Sequence, residues 1–412
     1  ISRGSSLFSE RCPNARDALW RRLSEVYELS DQKGRILSME GVRGLAVILV
    51  FFTHYHALFG HYASAQSFSF TLSQFAATIG HTGVDLFFVL SGYLIYGAVI
   101  RKPIRYATFM KRRLERIYPT FLAVFAIYLI LSFVLPGENK IPAGPIAASS
   151  YILANLMFLP GMFDIQPIMS VAWSLSFEFF YYLTIPLLVS VLRMRQWQRH
   201  QRIGFFLVLA IISFVALLKV PGPHLRLLMF LSGILLYEAI GPTAQRRTTR
   251  RPGELVALLA FVASFPLIFT IWHRGELVSF LPGFHWIGGG YGVLVLFWTF
   301  LGFTFFCFSQ DGLISYLFSF SPLRWLGNMS YSYYISHGLT LKAVALVTAR
   351  VLPNAPSGHS LILFWSILPA AVVATLVAST ILFVLVEKPF SLRTPRVSVE
   401  RQALADSRAE PA

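Results

Sequence analysis

The sequence predicts an all-α polytopic membrane protein with about ten transmembrane helices and both termini in the cytoplasm. Three observations carry that reading. Hydrophobic residues make up 55% of the 412-residue chain and charged residues only 13%, about half the charge of an ordinary soluble protein. Ten apolar runs are long enough to cross a hydrocarbon core about 30 Å thick. Basic residues gather in alternate loops, the asymmetry that fixes membrane orientation.

Residues 1–38 are polar and mixed in charge, and read as a cytoplasmic N-terminal segment with a disordered start over residues 1–12. Asn14 is placed to cap a helix in which Leu19, Trp20, Leu23, Val26 and Tyr27 share one face. Such a helix lies on the membrane surface. Residues 39–390 form the transmembrane domain and 391–412 a cytoplasmic tail. The apolar runs fall at 44–60, 82–100, 117–135, 173–192, 203–219, 224–240, 254–272, 286–307, 327–350 and 360–386. The run 148–160 is shorter and stops at Pro160-Gly161, so it reads as a re-entrant or interfacial piece.

Arg101, Lys102, Arg105, Lys111, Arg112, Arg113 and Arg116 lie between the second and third runs. Arg193, Arg195, Arg199 and Arg202 follow the fourth, and Arg246, Arg247, Arg250 and Arg251 follow the sixth. With both termini and Arg324, these loops hold all but six of the 35 basic residues: Lys140, Lys219, Arg226, Arg274, Lys342 and Arg350. Counting 148–160 as a span would put the Arg193–Arg202 cluster outside. The net charge of +16 is therefore a topology signal and calls for no nucleic acid. Cys12 and Cys307 give neither a disulfide framework nor zinc spacing, and no metal is expected. No apolar run precedes residue 40, so no secretory signal peptide is expected in the usual place. The composition predicts membrane lipid as a constant partner.

Four clusters carry ionisable groups into apolar surroundings, where such groups line sites or pathways or pair with a neighbour. The first is Glu40, Arg43 and His54. Arg43 and His54 are eleven residues apart, almost three helical turns, so both point to nearly the same side about 16 Å apart. The second is Lys111 to Pro119, in which Arg113 and Arg116 are neighbours on one face. Paired guanidinium groups at a helix N-terminus suit phosphate; ordinary positive-inside charge is the other reading. The third is Trp173 to Tyr181, with Glu178 among aromatics and Tyr181 one turn on, placed to share a hydrogen-bond network. The fourth is Gly80 to Tyr93, with the carboxylate Asp85 and with Gly83 and Gly92 for close helix contact. Here a structural role leads, with orientation of a histidine as the functional use. His337 falls near the depth of His54 and reads equally as a packing or a site residue.

At these residues the chain resembles the acyltransferase 3 family of integral membrane acyltransferases. The agreements are E-G-V-R-G with arginine, ten residues, then histidine (Arg43, His54), G-V-D-L-F-F-V-L-S-G-Y-L-I (Gly83 to Ile95) and R-R-L-E-R-I-Y-P (Arg112 to Pro119). W-S-L-S-F-E-F-F-Y (Trp173 to Tyr181), the serine-tyrosine stretch ending at His337, and V-E-K-P-F (Val386 to Phe390) continue the set in order across residues 40–390. Glu40 stands where aspartate is common, which keeps the charge. The resemblance implies a ten-helix core and transfer of an acyl group, usually acetyl from acetyl-CoA, to a hydroxyl of a cell-surface sugar or a small glycosylated molecule. No fused extracytoplasmic esterase-like domain is expected in this chain.

Those implications and the residues together give one mechanism as an expectation. His54 is the general base for the acceptor hydroxyl, with a transient acyl-histidine as the alternative. Arg113, Arg116 and Arg43 hold the acyl-CoA phosphates at the cytoplasmic face of a bacterial inner membrane. Glu178, Tyr181, Asp85, Trp173 and His337 lie further out and orient the acceptor or the histidine. The competing class is a proton-coupled carrier of a lipid-linked sugar, with His54, Asp85, Glu178 and His337 as relay. No inverted repeat or pair of matching broken helices favours it.

Overall fold

The structure, a computed structural model, describes residues 15–29, 35–63, 67–218, 220, 223–241, 253–273, 288–309, 311–352 and 361–392. Asn14, Cys12, Lys219, Arg246, Arg247, Arg250, Arg251, Arg274 and most of the 391–412 tail lie outside the described residues. The helices are α1 (Ala15–Tyr27), α2 (Leu37–Phe59), α3 (Phe68–Arg101), α4 (Tyr106–Val134), α5 (Pro145–Leu156), α6 (Ala172–Val191) and α7 (Arg199–Leu217). They continue as α8 (Leu228–Ile240), α9 (Glu254–His273), α10 (Gly288–Ser309), α11 (Leu313–Phe318), α12 (Ser321–Asn328), α13 (Ser330–Val351) and α14 (Leu361–Leu382), and α14 runs on into a π-helical stretch, Phe383–Ser391. Among the described residues nine helical segments are long and apolar enough to cross a membrane. The tenth expected run, 327–350, forms the 22-residue helix α13. Its first half is rich in serine and tyrosine, so it falls short on apolarity while having the length to span.

The expected re-entrant piece is α5, whose 12 residues cover only about 18 Å. It stops at Phe158, which has a positive φ of 54° and packs on Tyr118 and Phe121. Gly161 then turns at φ 93°, and a Cβ there would lie 2.6 Å from the Trp173 carbonyl oxygen. The segment α1 presents Trp20 and Tyr27 to Trp325 on α12, at ring separations of 4.7 and 6.1 Å. Lys388 donates to the carbonyls of Glu25 and Val26 from the other side. Leu19, by contrast, faces outward.

The core is built on α2 and α3, which run antiparallel. A Cβ at Gly83 would lie 2.4 Å from the Ala46 carbonyl oxygen, so the small residue permits the close approach expected of it. On its other side α3 meets α8, where Gly92 faces the Phe230 carbonyl oxygen and Gly233 faces that of Val89. The segment from α11 to α12 crosses the start of α2 over Gly41 and Gly44, and Glu40 there accepts from Arg35 at 2.5 Å and Arg324 at 3.2 Å.

One end of the bundle gathers the arginines and is called the basic face below. Arg195 donates to the Val99 carbonyl at the end of α3, and Arg199 to the Ala239 carbonyl at the end of α8. These guanidinium groups satisfy carbonyls that helix ends leave open. Arg202 binds the buried Glu238 through contacts of 2.6 and 3.1 Å, with Tyr96 donating to the same carboxylate.

Candidate active site

A vestibule of about 820 Å³ opens at the basic face. Six cations line it (Arg35, Arg43, Arg101, Lys102, Arg112 and Arg113) against one carboxylate, Glu40, with Tyr93 and Tyr237 in its wall. It meets an inner cavity of about 150 Å³. Arg43, Leu94 and Arg113 line both spaces, so they form the passage between them.

The inner cavity follows α3 from Leu94 through Ser91 and Phe88 to Val84, a length of about 15 Å. Glu178 on α6 lines it midway, accepting from Ser91 Oγ at 3.1 Å and from the Tyr182 hydroxyl at 2.5 Å. At the far end Tyr334 closes it. The Tyr334 hydroxyl is 2.6 Å from Ser174 Oγ and 3.2 Å from the Val171 carbonyl oxygen, and its ring packs edge-on against Phe87 at 5.9 Å.

Beyond Tyr334 stands a pair of imidazoles. The rings of His54 and His337 lie 4.9 Å apart at 63°. His54 is half-buried, whereas His337 has no exposed surface. Thr53, next to His54, donates to the Ala77 carbonyl at 2.9 Å, while Ala46 abuts Gly83 beside the end of the cavity. His54 therefore sits about eight residues, or about 12 Å, further along the α2–α3 pair than that end. Neither cavity reaches it.

This geometry revises several expectations. Arg43 and His54 do share one unbroken helix, and His337 does meet His54. The Arg113/Arg116 pair, however, is not at a helix N-terminus. Helix α4 starts at Tyr106, so the backbone N–H groups of residues 113 and 116 are committed to the helix, and only the side chains can donate outward.

The two arginines also differ. Arg116 is bound to Glu387 at 2.8 Å. Arg113 lies over the rings of Phe109 and Tyr182 at 5.0 and 5.4 Å. Among the described residues no carboxylate is within ion-pair distance of Arg113 or Arg43.

Tyr181 does not share a network with Glu178. Its hydroxyl donates to the Leu227 carbonyl at 2.8 Å and its ring stacks on Phe230 at 4.1 Å, so it fastens α6 to α8. The i+4 neighbour Tyr182 makes the expected bond instead. Asp85 lines neither cavity and, among the described residues, bonds to no histidine; it pairs with Arg226 at 2.7 Å, which also donates to the His81 carbonyl. Trp173 packs edge-on against Phe177 and Phe88 and lines neither cavity. Glu178 lies on the arginine side of the histidines. Its partner Ser91 is fourteen residues from Ala77 on α3, about 21 Å.

Glu387, carried by V-E-K-P-F, holds the cavity-lining Arg116 and is not among the residues expected from the sequence. The rule that singled out Glu178, a carboxylate within an apolar run, applies equally to Glu387 and Glu238.

A bundle of this kind, with a basic vestibule leading to an inner cavity and histidines behind it, defines a membrane-embedded protein with a strongly basic cleft at one face. Residues 36–384 match the acyltransferase domain of the acyltransferase 3 family, and the chain belongs to that family. It is 26% identical over 349 residues to the peptidoglycan O-acetyltransferase OatA of Listeria monocytogenes, covering 77% of this chain and 51% of that protein. It is 24% identical over 346 residues to O-acetyltransferase OatA of Staphylococcus aureus, covering 77% and 52%. Acyltransferase MdmB of Streptomyces mycarofaciens is 32% identical over 161 residues, covering 39% of this chain and 40% of that protein. The chain thus spans about half the length of the OatA proteins it matches. No solved structure matches it.

Proposed function

We propose that the chain is a membrane O-acyltransferase that takes an acyl group, acetyl foremost, from acyl-CoA at a cytoplasmic basic face. The acceptor is a sugar hydroxyl of a cell-surface glycan, and the membrane is a bacterial inner membrane. The observation that carries the reading is the passage at Arg43 and Arg113. Two guanidinium groups, without carboxylate partners among the described residues, line both the 820 Å³ vestibule and the inner cavity. That pattern suits a polyanionic nucleotide head left in the vestibule with a thin, largely uncharged arm threaded inward. The name of the Listeria monocytogenes relative, a peptidoglycan O-acetyltransferase, supports a glycan acceptor.

In this reading Arg113 and Arg43 bind phosphate, and Arg116 forms the cavity wall. Glu178 accepts from an amide N–H of the pantetheine arm. His54 takes the proton of the acceptor hydroxyl as its oxygen attacks the thioester carbonyl; the C–S bond then breaks and the CoA thiolate receives that proton from the imidazolium. The acyl group must pass Tyr334 to reach His54.

The test uses the purified full chain with acetyl-CoA and glycan acceptors, following free thiol and acetylated product. Acceptor-dependent CoA release that His54→Ala abolishes supports the reading. No CoA release with any hydroxyl acceptor, together with movement of a lipid-linked sugar, overturns it in favour of a carrier.

A further inference from the structure

We propose that His337 is the positioning residue for His54, accepting on its Nε2 the N–H of His54 that does not face the substrate. The proposal rests on the reading of His54 as the base. His337 Nδ1 is 2.7 Å from the Tyr334 carbonyl oxygen and 3.1 Å from that of Tyr333. Carbonyl oxygens only accept, so Nδ1 carries the ring hydrogen, and a neutral imidazole then has its lone pair on Nε2. That nitrogen is buried and, among the described residues, has no partner. An acceptor left open in such surroundings is costly, and a native structure keeps one where something fills it.

Several neighbouring donors are committed elsewhere. Ser336 Oγ donates to the Ser332 carbonyl and faces Ser379. The Tyr333 hydroxyl meets Thr375, and that of Tyr334 meets Ser174. Thr53 donates to Ala77, Tyr55 to the Phe364 carbonyl, and His56 faces Ser73. The His54 ring stands edge-to-face on His337 at 4.9 Å, and no hydrogen bond to it is present among the described residues. A turn of that ring about its own axis aims one N–H at His337 Nε2 and the other nitrogen away from it.

The chemistry follows the logic by which a buried acceptor holds a catalytic imidazole in one tautomer and steadies its imidazolium. His54 begins with one N–H, given to His337, and one lone pair for the acceptor hydroxyl. After it takes the proton both nitrogens donate, one to His337 and one to the departing thiolate. His337 cannot donate back, because its own hydrogen is held by backbone carbonyls one turn earlier on α13.

The test compares His337→Gln with His337→Leu. Both fill much of the ring's volume, but only glutamine offers an acceptor oxygen near the place of Nε2. Leucine is expected to lower kcat about 100-fold, at the low end of a general-base contribution, with the KM for acetyl-CoA unchanged. Glutamine is expected to recover at least about tenfold of that loss. Equal rates for the two variants, or a rise in KM at unchanged kcat, overturn the assignment.

The double variant His54→Ala/His337→Leu separates this proposal from the one beneath it. It is expected to be no slower than His54→Ala alone, since nothing is left to position; a further multiplicative loss overturns the assignment. If His54→Ala keeps the wild-type rate, the base reading fails and His337 falls with it. If His54→Ala is inactive and His337→Leu is fully active, only the positioning role fails.

Discussion

Arg116 Nη1 lies 2.8 Å from Glu387 Oε1, and Glu387 has no exposed side-chain surface. The second carboxylate oxygen accepts from the backbone N–H of Ser332 at 2.9 Å and its hydroxyl at 2.6 Å. This pair joins α4, α13 and the C-terminal π-helical stretch beside the inner cavity. Arg116→Ala leaves a buried carboxylate short of its countercharge, a loss of about 3–5 kcal/mol for buried pairs. Thermal unfolding in detergent should show it. Replacing both partners with apolar residues, as in Arg116→Met/Glu387→Leu, should restore much of that stability. Activity should not return, since the cavity wall has lost its charge.

Arg113 should behave differently. Its guanidinium is held by aromatic faces, so Arg113→Ala should fold normally and weaken acetyl-CoA binding. A charge-assisted hydrogen bond contributes about 1.5–3 kcal/mol, which corresponds to about 10- to 100-fold in dissociation constant. The remaining affinity should respond less to salt. Calorimetry or a fluorescent CoA analogue at two ionic strengths measures both. A variant with unfolded-like melting and unchanged affinity would assign Arg113 to the fold.

The contrast shows where sequence reading stops. The spans were legible because apolar length is a local property, and Arg43 with His54 because helix periodicity fixes side-chain direction within one element. Gly83 and Gly92 announced close contacts, though not that α2 and α8 would fill them. Partner choice was the hidden part. Arg113 and Arg116 look equivalent as i and i+3 neighbours, yet Glu387, 271 residues away from Arg116 in sequence, claims only one of them. Asp85 likewise found Arg226 rather than a histidine. Tyr181 and Tyr182 are adjacent letters about 100° apart around the helix, and only the placement of α8 decides which one faces Glu178.

That last pair gives a direct comparison. Tyr182→Phe removes a donor to Glu178, and Glu178→Gln removes the acceptor's charge. Both should raise the KM for acetyl-CoA more than that for the glycan, because Glu178 lies on the arginine side of the histidines. Tyr181→Phe deletes only the bond to the Leu227 carbonyl and should cost about 1 kcal/mol of stability with near-normal kinetics. Steady-state titration of each substrate separates the three. A Glu178 variant that spoils only glycan use would place the acceptor in the inner cavity.

His54→Ala should lower transfer by about 100- to 10,000-fold while acetyl-CoA still binds, because the vestibule is built from other helix turns. His56 turns elsewhere and meets Ser73 Oγ at 2.8 Å, so His56→Ala should be mild. Initial rates on matched amounts of folded protein decide it. Equal losses at both positions would remove the special role of His54.

The cavity that joins the basic face stops at Tyr334, held by Ser174 and packed on Phe87. The histidine pair lies beyond that closure, about 12 Å further along α2. A donor entering from the basic face and an acceptor entering from the other would meet there only when Tyr334 moves aside. Tyr334→Phe removes the hydroxyl that ties the ring to Ser174 and keeps the ring itself. It should raise the slow release of CoA in the absence of glycan while leaving the KM for acetyl-CoA unchanged. In sealed, oriented vesicles, acetyl-CoA supplied at the basic face should acetylate glycan present only on the opposite side. If product forms only when both substrates share the basic-face compartment, transfer across the bilayer is wrong. The acceptor would then be a small glycosylated molecule or a lipid-linked precursor on the cytoplasmic side.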